Sequence, residues 1–232
     1  MKFLLPLFLA AFCLPLAAQE TKPAPAKSPA PANRSVKWEK EIAGIEERDK
    51  KNPPAKGSIL FIGSSTIRMW SSLAKDFPEH KVVNHGFGGS EIADSTFFAD
   101  RLIFPIEPSH IFLRAGGNDI NNGKTAEQVF ADYRAFVSAV HAKLPNTEIV
   151  YIGLSPTIAR IKQVDAGNKL TTLIKEFAAK NPKLRIIELP NMTTGADGQP
   201  RADLFIKDGL HFNAAGYKLL AEAVRPFMPP VK

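Results

Sequence analysis

A chain of 232 residues, 44% of them hydrophobic, has material for one domain with a sizeable core and little more. The net charge of +7 is spread along the chain without a nucleic-acid-binding motif, so nucleic acid is not an expected partner; attraction to anionic cell-envelope polymers is compatible with it. A single cysteine, Cys13, excludes an intramolecular disulfide and a cysteine-rich metal site.

Residues 1–18 have the layout of a secretory signal peptide. Lys2 supplies a positive start, an apolar stretch follows, and Leu16-Ala17-Ala18 offers small residues for cleavage. The stretch is short for a membrane span and is interrupted by Pro6 and Pro15, so export without stable membrane insertion is expected, with an N-terminal anchor as the alternative. The expected location is periplasmic or extracellular. Residues 19–34, rich in Pro, Ala and Lys, read as a flexible linker, and the folded domain is expected over 35–232.

The domain opens with an expected amphipathic helix over 35–51, with Val36, Ile42 and Ile45 inward. Residues 59–62 are an unbroken apolar run, the mark of a strand buried on both faces. Gly63 allows a sharp turn, and Ser64, Ser65 and Thr66 can each cap the helix expected over 66–73. Further strands are expected at 82–84, 110–115, 148–152 and 184–188, and further helices at 91–102, 125–143 and 165–180. Thr125 and Gln128 have the spacing of a capping box, and Asn213 can cap a last helix through Val224. Five strands separated by helices predict an α/β protein: a three-layer α/β/α sandwich on a five-stranded parallel sheet, flavodoxin-like, with strand order 2-1-3-4-5.

In such a sheet the carboxyl ends of all strands share one edge, so loops distant in sequence can meet there. The unusual residues fall in those loops. Ser65 stands in the first strand-to-helix turn, either as a nucleophile or as a plain capping residue. Asp208-Gly209-Leu210-His211 can place a carboxylate against one ring nitrogen and leave the other to act as base, or it can be a solvated turn. Gly88-Gly89 allows close approach of the backbone, and Asn118 offers a side-chain N–H. With the Ser65 amide these would form an oxyanion hole of Ser65, Gly89 and Asn118; a tight loop and a turn residue are the alternatives for the last two.

Taken together, Phe61-Ile62-Gly63-Ser64-Ser65, Gly89, Gly116-Gly117-Asn118-Asp119 and Asp208-Gly209-Leu210-His211 resemble, in order, four blocks of the SGNH hydrolase superfamily, the GDSL-type esterases and lipases. The sequence is similar to a branch with Gly-Ser-Ser in the first block, where Ser64 replaces the usual aspartate. The resemblance implies Ser65 as nucleophile, His211 as base, Asp208 as its orienting partner, and Ser65, Gly89 and Asn118 as oxyanion donors.

The activity so implied is that of a secreted serine esterase removing short acyl groups, acetyl foremost, from small molecules or polysaccharides. The alternatives are a lysophospholipase or lipase-type acylhydrolase, and a non-catalytic envelope-binding protein that keeps the fold. Trp70 and Arg160 are candidates for lining the substrate site, with plain packing as the other reading of Trp70, and the loop 155–167 around Arg160 is expected at its entrance. Phe87, Arg114, Asp119, Asn191 and Met192 lie in or near the same loops. No cofactor is expected, and His80, His85, His110 and His141 lack metal-ligand spacing, so no metal is expected either.

Overall fold

Five parallel strands pair in the order β2-β1-β3-β4-β5, as expected. They are β1 (Ile59–Gly63), β2 (Val82–Gly86), β3 (His110–Arg114), β4 (Glu148–Ile152) and β5 (Leu184–Ile187). The computed structural model describes residues 31–231, with side chains from 36 onward. The expected signal peptide, and the linker up to residue 30, lie outside the described residues.

Alternation along β1 sends successive side chains to opposite faces, and both faces are covered. Leu60 and Ile62 join one core cluster, with Ile111, Leu113, Ile149 and Tyr151 from the neighbouring strands. That cluster is roofed by α1 (Pro31–Lys51), α4 (Ile92–Phe97), α5 (Ala99–Leu102), α7 (Ala126–Lys143) and α8 (Val164–Ala178). On the opposite face Ile59 and Phe61 pack under α2 (Ser65–Arg68), α3 (Leu73–Asp76) and α9 (Ala214–Val224). The short α6 (Gly117–Asn121) follows β3 at the sheet edge. Phe61 stacks on Phe112 of β3 with ring centroids 4.7 Å apart, which locks the two central strands together on that face.

Helix α7 begins as its sequence predicts: Thr125 accepts from the Gln128 amide, and the Gln128 side chain accepts from the Thr125 amide. Asn213 caps α9 by accepting from the amides of Ala215 and Gly216.

Four expectations about elements need correction. Helix α1 starts at Pro31, so positions 31–34 of the expected linker are helical; proline is well suited to a first turn. Within α1, Val36 is 78% exposed, and Trp38 takes the inner face with Ile42 and Ile45. The helix expected over 66–73 is two single turns, α2 and α3, parted around Trp70. The helix expected over 91–102 is likewise split at Phe98, whose φ of −91° and ψ of 13° break the helical path. In both cases a large aromatic is drawn into the core, and the break lets it get there.

Trp70 is therefore not a substrate-lining residue. It is 1% exposed, stacks near Tyr217, meets Phe61 edge-on, and donates from Nε1 to Asp76 Oδ2 at 2.7 Å.

Candidate active site

The site forms where β1, β3 and β4 end. At Gly63 the chain turns with φ of +137°, and the Ser64 amide donates to the Arg114 carbonyl at 3.0 Å. A Cβ at Gly63 would stand 2.1 Å from that carbonyl oxygen, so only glycine lets the two strands end side by side here. Ser64 is the N-cap of α2 through its backbone, and its side chain makes no capping bond. Because α2 is a single turn, its dipole contributes little field; Ser65 is placed by the turn rather than by a long helix.

Ser65 Oγ lies 2.9 Å from His211 Nε2, although the two residues are 146 positions apart. On the other side of the ring, His211 Nδ1 lies 2.6 Å from Asp208 Oδ2. A carboxylate can only accept, so Nδ1 carries the proton and donates to Asp208, and Nε2 is left to accept from the Ser65 hydroxyl. The second Asp208 oxygen accepts from the amides of Leu210 and His211 at 2.9 and 3.0 Å. The His211 hydrogen bonds and those amides hold the Asp208 carboxyl down at about 2, so it stays ionised through the neutral range. Gly209, at φ of +64°, makes the tight turn between these partners. The loop is braced from the segment after β4 too: the Ala159 amide donates to the Gly209 carbonyl at 3.0 Å.

The three expected oxyanion donors each keep an N–H without an acceptor among the described residues, whereas the neighbouring Gly88 is fully engaged. The Gly88 amide donates to Glu41 Oε2 at 2.7 Å, and the Gly88 carbonyl accepts from Trp38 Nε1 at 2.8 Å. Helix α1 thus grips the loop through Gly88. The next amide, that of Gly89, has no acceptor among the described residues, nor does that of Ser65. Gly89 sits at φ of +73° with open space on its Cβ side, though it is not part of the cleft wall itself. Asn118 Nδ2 donates to the Ser90 carbonyl at 3.0 Å, which ties α6 to the Gly89 loop and leaves the second amide hydrogen without an acceptor among the described residues. Asn118 Oδ1 accepts from Arg160 Nη2 at 2.9 Å.

Behind this row, Asp119 is fully buried. Its Oδ1 receives the Ile92 amide and Lys124 Nζ, each at 3.3 Å, while Oδ2 has no hydrogen-bond partner. Burial pushes its carboxyl up to about 6 against the pull of Lys124. A carboxyl that holds its proton more tightly in the fold stabilises the fold below the unfolded value, and that contribution disappears as pH rises through about 6. Asp119→Asn is therefore expected to gain stability relative to the parent between pH 4 and pH 6.5, by on the order of 1–3 kcal/mol, in paired urea titrations. An unchanged difference across that range contradicts the account.

Ser65, His211 and Asn118 open into a cleft whose empty space, open solvent at its mouth included, is about 800 Å³. Ile120, Leu154, Pro156, Val164, Leu210 and Phe212 give it an apolar wall. Arg160 lines it, as expected, and so does Arg114. Phe87 is buried in the core beside Trp38. The segment 155–167, expected at the entrance, lines it with Pro156, Thr157, Gln163 and Val164. Sequence reasoning missed Leu154 and Phe212, which read as ordinary core residues. It also missed the contacts of Trp38 and Glu41, which no local spacing encodes.

A profile of the GDSL-like lipase/acylhydrolase family matches residues 62–219. The chain belongs to that family. Its members are serine acylhydrolases, and the chain is in this sense a carboxylic ester hydrolase. This GDSL-family chain is 24% identical over 179 residues to the bovine (Bos taurus) platelet-activating factor acetylhydrolase IB subunit alpha1, covering 73% of this chain and 74% of the relative. Among solved structures it is similar to a Streptococcus pneumonia protein described as a platelet activating factor, with a TM-score of 0.73, 22% identity, and 84% and 95% of the two chains covered. It is also similar to a mutant of an acetyl-xylooligosaccharide esterase from Geobacillus Stearmophilus, with a TM-score of 0.60, 15% identity, and 76% and 96% covered. These likenesses place the fold with that of GDSL-like proteins of known structure.

Proposed function

We propose that the protein hydrolyses short-chain acyl esters, acetyl esters foremost, with Ser65 as nucleophile, His211 as base and Asp208 as its orienting carboxylate. The observation that carries this reading is the hydrogen-bonded row Ser65 Oγ–His211–Asp208, with spacings of 2.9 and 2.6 Å, opening on the cleft. In the first half-reaction Ser65 Oγ bonds the carbonyl carbon as its proton passes to His211 Nε2. The oxygen that takes up the charge rests on the amides of Ser65 and Gly89 and on Asn118 Nδ2. The bond to the leaving oxygen then breaks, and His211 gives that oxygen its proton. In the second half-reaction water, deprotonated by His211, attacks the acyl-serine; Ser65 leaves with the proton, and the free acid is released. The Nδ1 proton stays on His211 throughout, and the ionised Asp208 accepting from it stabilises the imidazolium.

Short acyl groups are favoured by relatives named acetylhydrolase and acetyl-xylooligosaccharide esterase. A carbohydrate alcohol is the preferred partner if residues 1–18 direct export, since exported enzymes meet acylated polymers. A lipase-type reading draws support from the apolar wall and from Ile158 and Ile161, which are 43% and 42% exposed in the segment that borders the mouth. A fluorophosphonate ester tests the core of the proposal. Intact-mass and peptide analysis is expected to show one covalent adduct, on Ser65; no adduct, or an adduct elsewhere, refutes the mechanism. Comparing 4-nitrophenyl acetate with the octanoate then separates the short-chain reading from the lipase reading.

Asp208→Asn isolates the orienting role. The amide can still accept from the Leu210 and His211 amides, but it no longer bears the charge that faces Nδ1–H. Because the Asp208 side chain is 43% exposed, water replaces part of what is lost. A fall of about 10²–10³-fold in kcat with KM nearly unchanged is expected in steady-state assays.

A further inference from the structure

The cleft wall contains two guanidinium groups and no carboxylate. Arg48, Arg101, Arg185, Arg201 and Arg225 each pair with an acidic side chain. Arg114 and Arg160 do not, among the described residues. Arg114 is 5% exposed; it donates from Nη1 to the Gly153 carbonyl and from Nη2 to Ser155 Oγ at 3.2 Å, and lies over the Phe212 ring. Its charge is thus held at the base of the cleft by neutral groups alone. Arg160 is half-buried and uses Nη2 on Asn118 Oδ1. Gly117 leaves room for it: a Cβ there would come within 3.2 Å of Arg160 Nη1. Burial pushes both guanidiniums below their ordinary range, Arg114 to about 10, and both remain cationic at neutral pH.

Taking a cation out of water without an anionic partner is costly, and the cost falls when an anion arrives. Of the carboxylates near the row, Asp208 is engaged by His211 and by two amides, and Asp119 by the Ile92 amide and Lys124. Arg160 is the better placed to meet a ligand, because it is partly open to solvent and is fixed beside the expected oxyanion donor.

Resting on the esterase reading above, we infer that the preferred substrates carry an anionic group, carboxylate or phosphate, within a few bonds of the scissile carbonyl, and that Arg160 recognises it. Arg114 adds a fixed positive charge behind the site. Asn118 is coupled to this recognition: an anion drawn to Arg160 is read by a residue that shares a hydrogen bond with the group receiving the developing oxyanion.

The test compares charged and neutral esters of the same shape. 4-Acetoxybenzoate against its methyl ester places the anion on the alcohol side, 4-acetoxyphenyl phosphate replaces carboxylate by phosphate, and monophenyl glutarate against its methyl ester places the anion on the acyl side. At least one charged ester is expected to exceed its neutral counterpart by roughly ten- to a hundredfold in kcat/KM at low salt. That ratio is expected to shrink with added salt and to collapse towards one in Arg160→Met, while Arg160→Lys keeps part of it. Absolute rates are expected to fall in both variants because Asn118 loses its anchor; the within-enzyme ratio is the readout. Ratios near one for every pair, with neutral esters hydrolysed and Ser65 labelled by the fluorophosphonate, overturn the inference and leave the esterase reading standing. An Arg160→Met enzyme that keeps the wild-type ratio also overturns it. Failure to hydrolyse any ester, with Ser65 unlabelled, removes both.

Discussion

Ser65→Ala is expected to lower kcat for 4-nitrophenyl acetate by about 10⁴–10⁶-fold while leaving the fold and KM close to those of the parent. The hydroxyl lost is the one the proposed mechanism uses to bond the acyl carbon; Ser64, Thr66, Ser155 and Thr157 also line the cleft, but none of their hydroxyls bonds His211 among the described residues, and Cys13, the only thiol in the sequence, lies outside those residues. The structural cost is small, because Oγ makes a single hydrogen bond, to a partly exposed ring. Circular dichroism and the thermal midpoint should therefore stay near those of the parent. Residual hydrolysis equal to that of the parent would mean that the reaction proceeds elsewhere. If activity falls together with the thermal midpoint, the loss reports unfolding instead, and His211→Gln becomes the decisive variant.

Gly63→Ala is expected to be the most damaging single change to stability. A methyl group there would sit 2.1 Å from the Arg114 carbonyl oxygen and 2.6 Å from its carbon, both backbone atoms of a central strand. A flexible side chain could move aside; β3 cannot, because it is hydrogen-bonded on both edges, to β1 and β4. The φ of +137° adds backbone strain for any residue with a Cβ. A loss of roughly 3–5 kcal/mol is expected, seen as a fall of about 10–15 °C in thermal midpoint or as insoluble protein. Gly44→Ala provides the contrast. It lies mid-way along α1 with nothing within 4 Å of the added methyl, so it should be neutral or stabilising by up to about 1 kcal/mol. Equal effects at both positions would show that crowding against β3 is not what demands a glycine at 63.

The sheet was readable from sequence because its signals are local. Runs such as Ile59-Leu60-Phe61-Ile62 and Glu148-Ile149-Val150-Tyr151-Ile152, each ending at a glycine, mark buried parallel strands, and right-handed crossovers leave few orders for five of them. The capping box at Thr125 and the Asn213 cap were readable for the same reason. The approach of Ser65 to His211 was an inference from topology: both follow strand ends on one edge of the sheet. What failed to show was long-range. Apolar spacing alone did not reveal that Trp70 and Phe98 would interrupt their helices to reach the core, or that Trp38 rather than Val36 would face inward. The proline-rich composition before residue 35 concealed the first turn of α1. The cleft wall was only partly visible, since Leu154 and Phe212 look like any core residue until the chain places them beside Asn118.

Helix α1 falls outside the 62–219 stretch shared with the family, yet Trp38 and Glu41 clasp both polar groups of Gly88, one residue before the amide proposed to receive the oxyanion. Turnover can therefore drift between cousins through a helix that no signature motif monitors. A hybrid that joins this catalytic body to a foreign leader in place of α1 would inherit the nucleophile intact and lose the setting of the loop next to it.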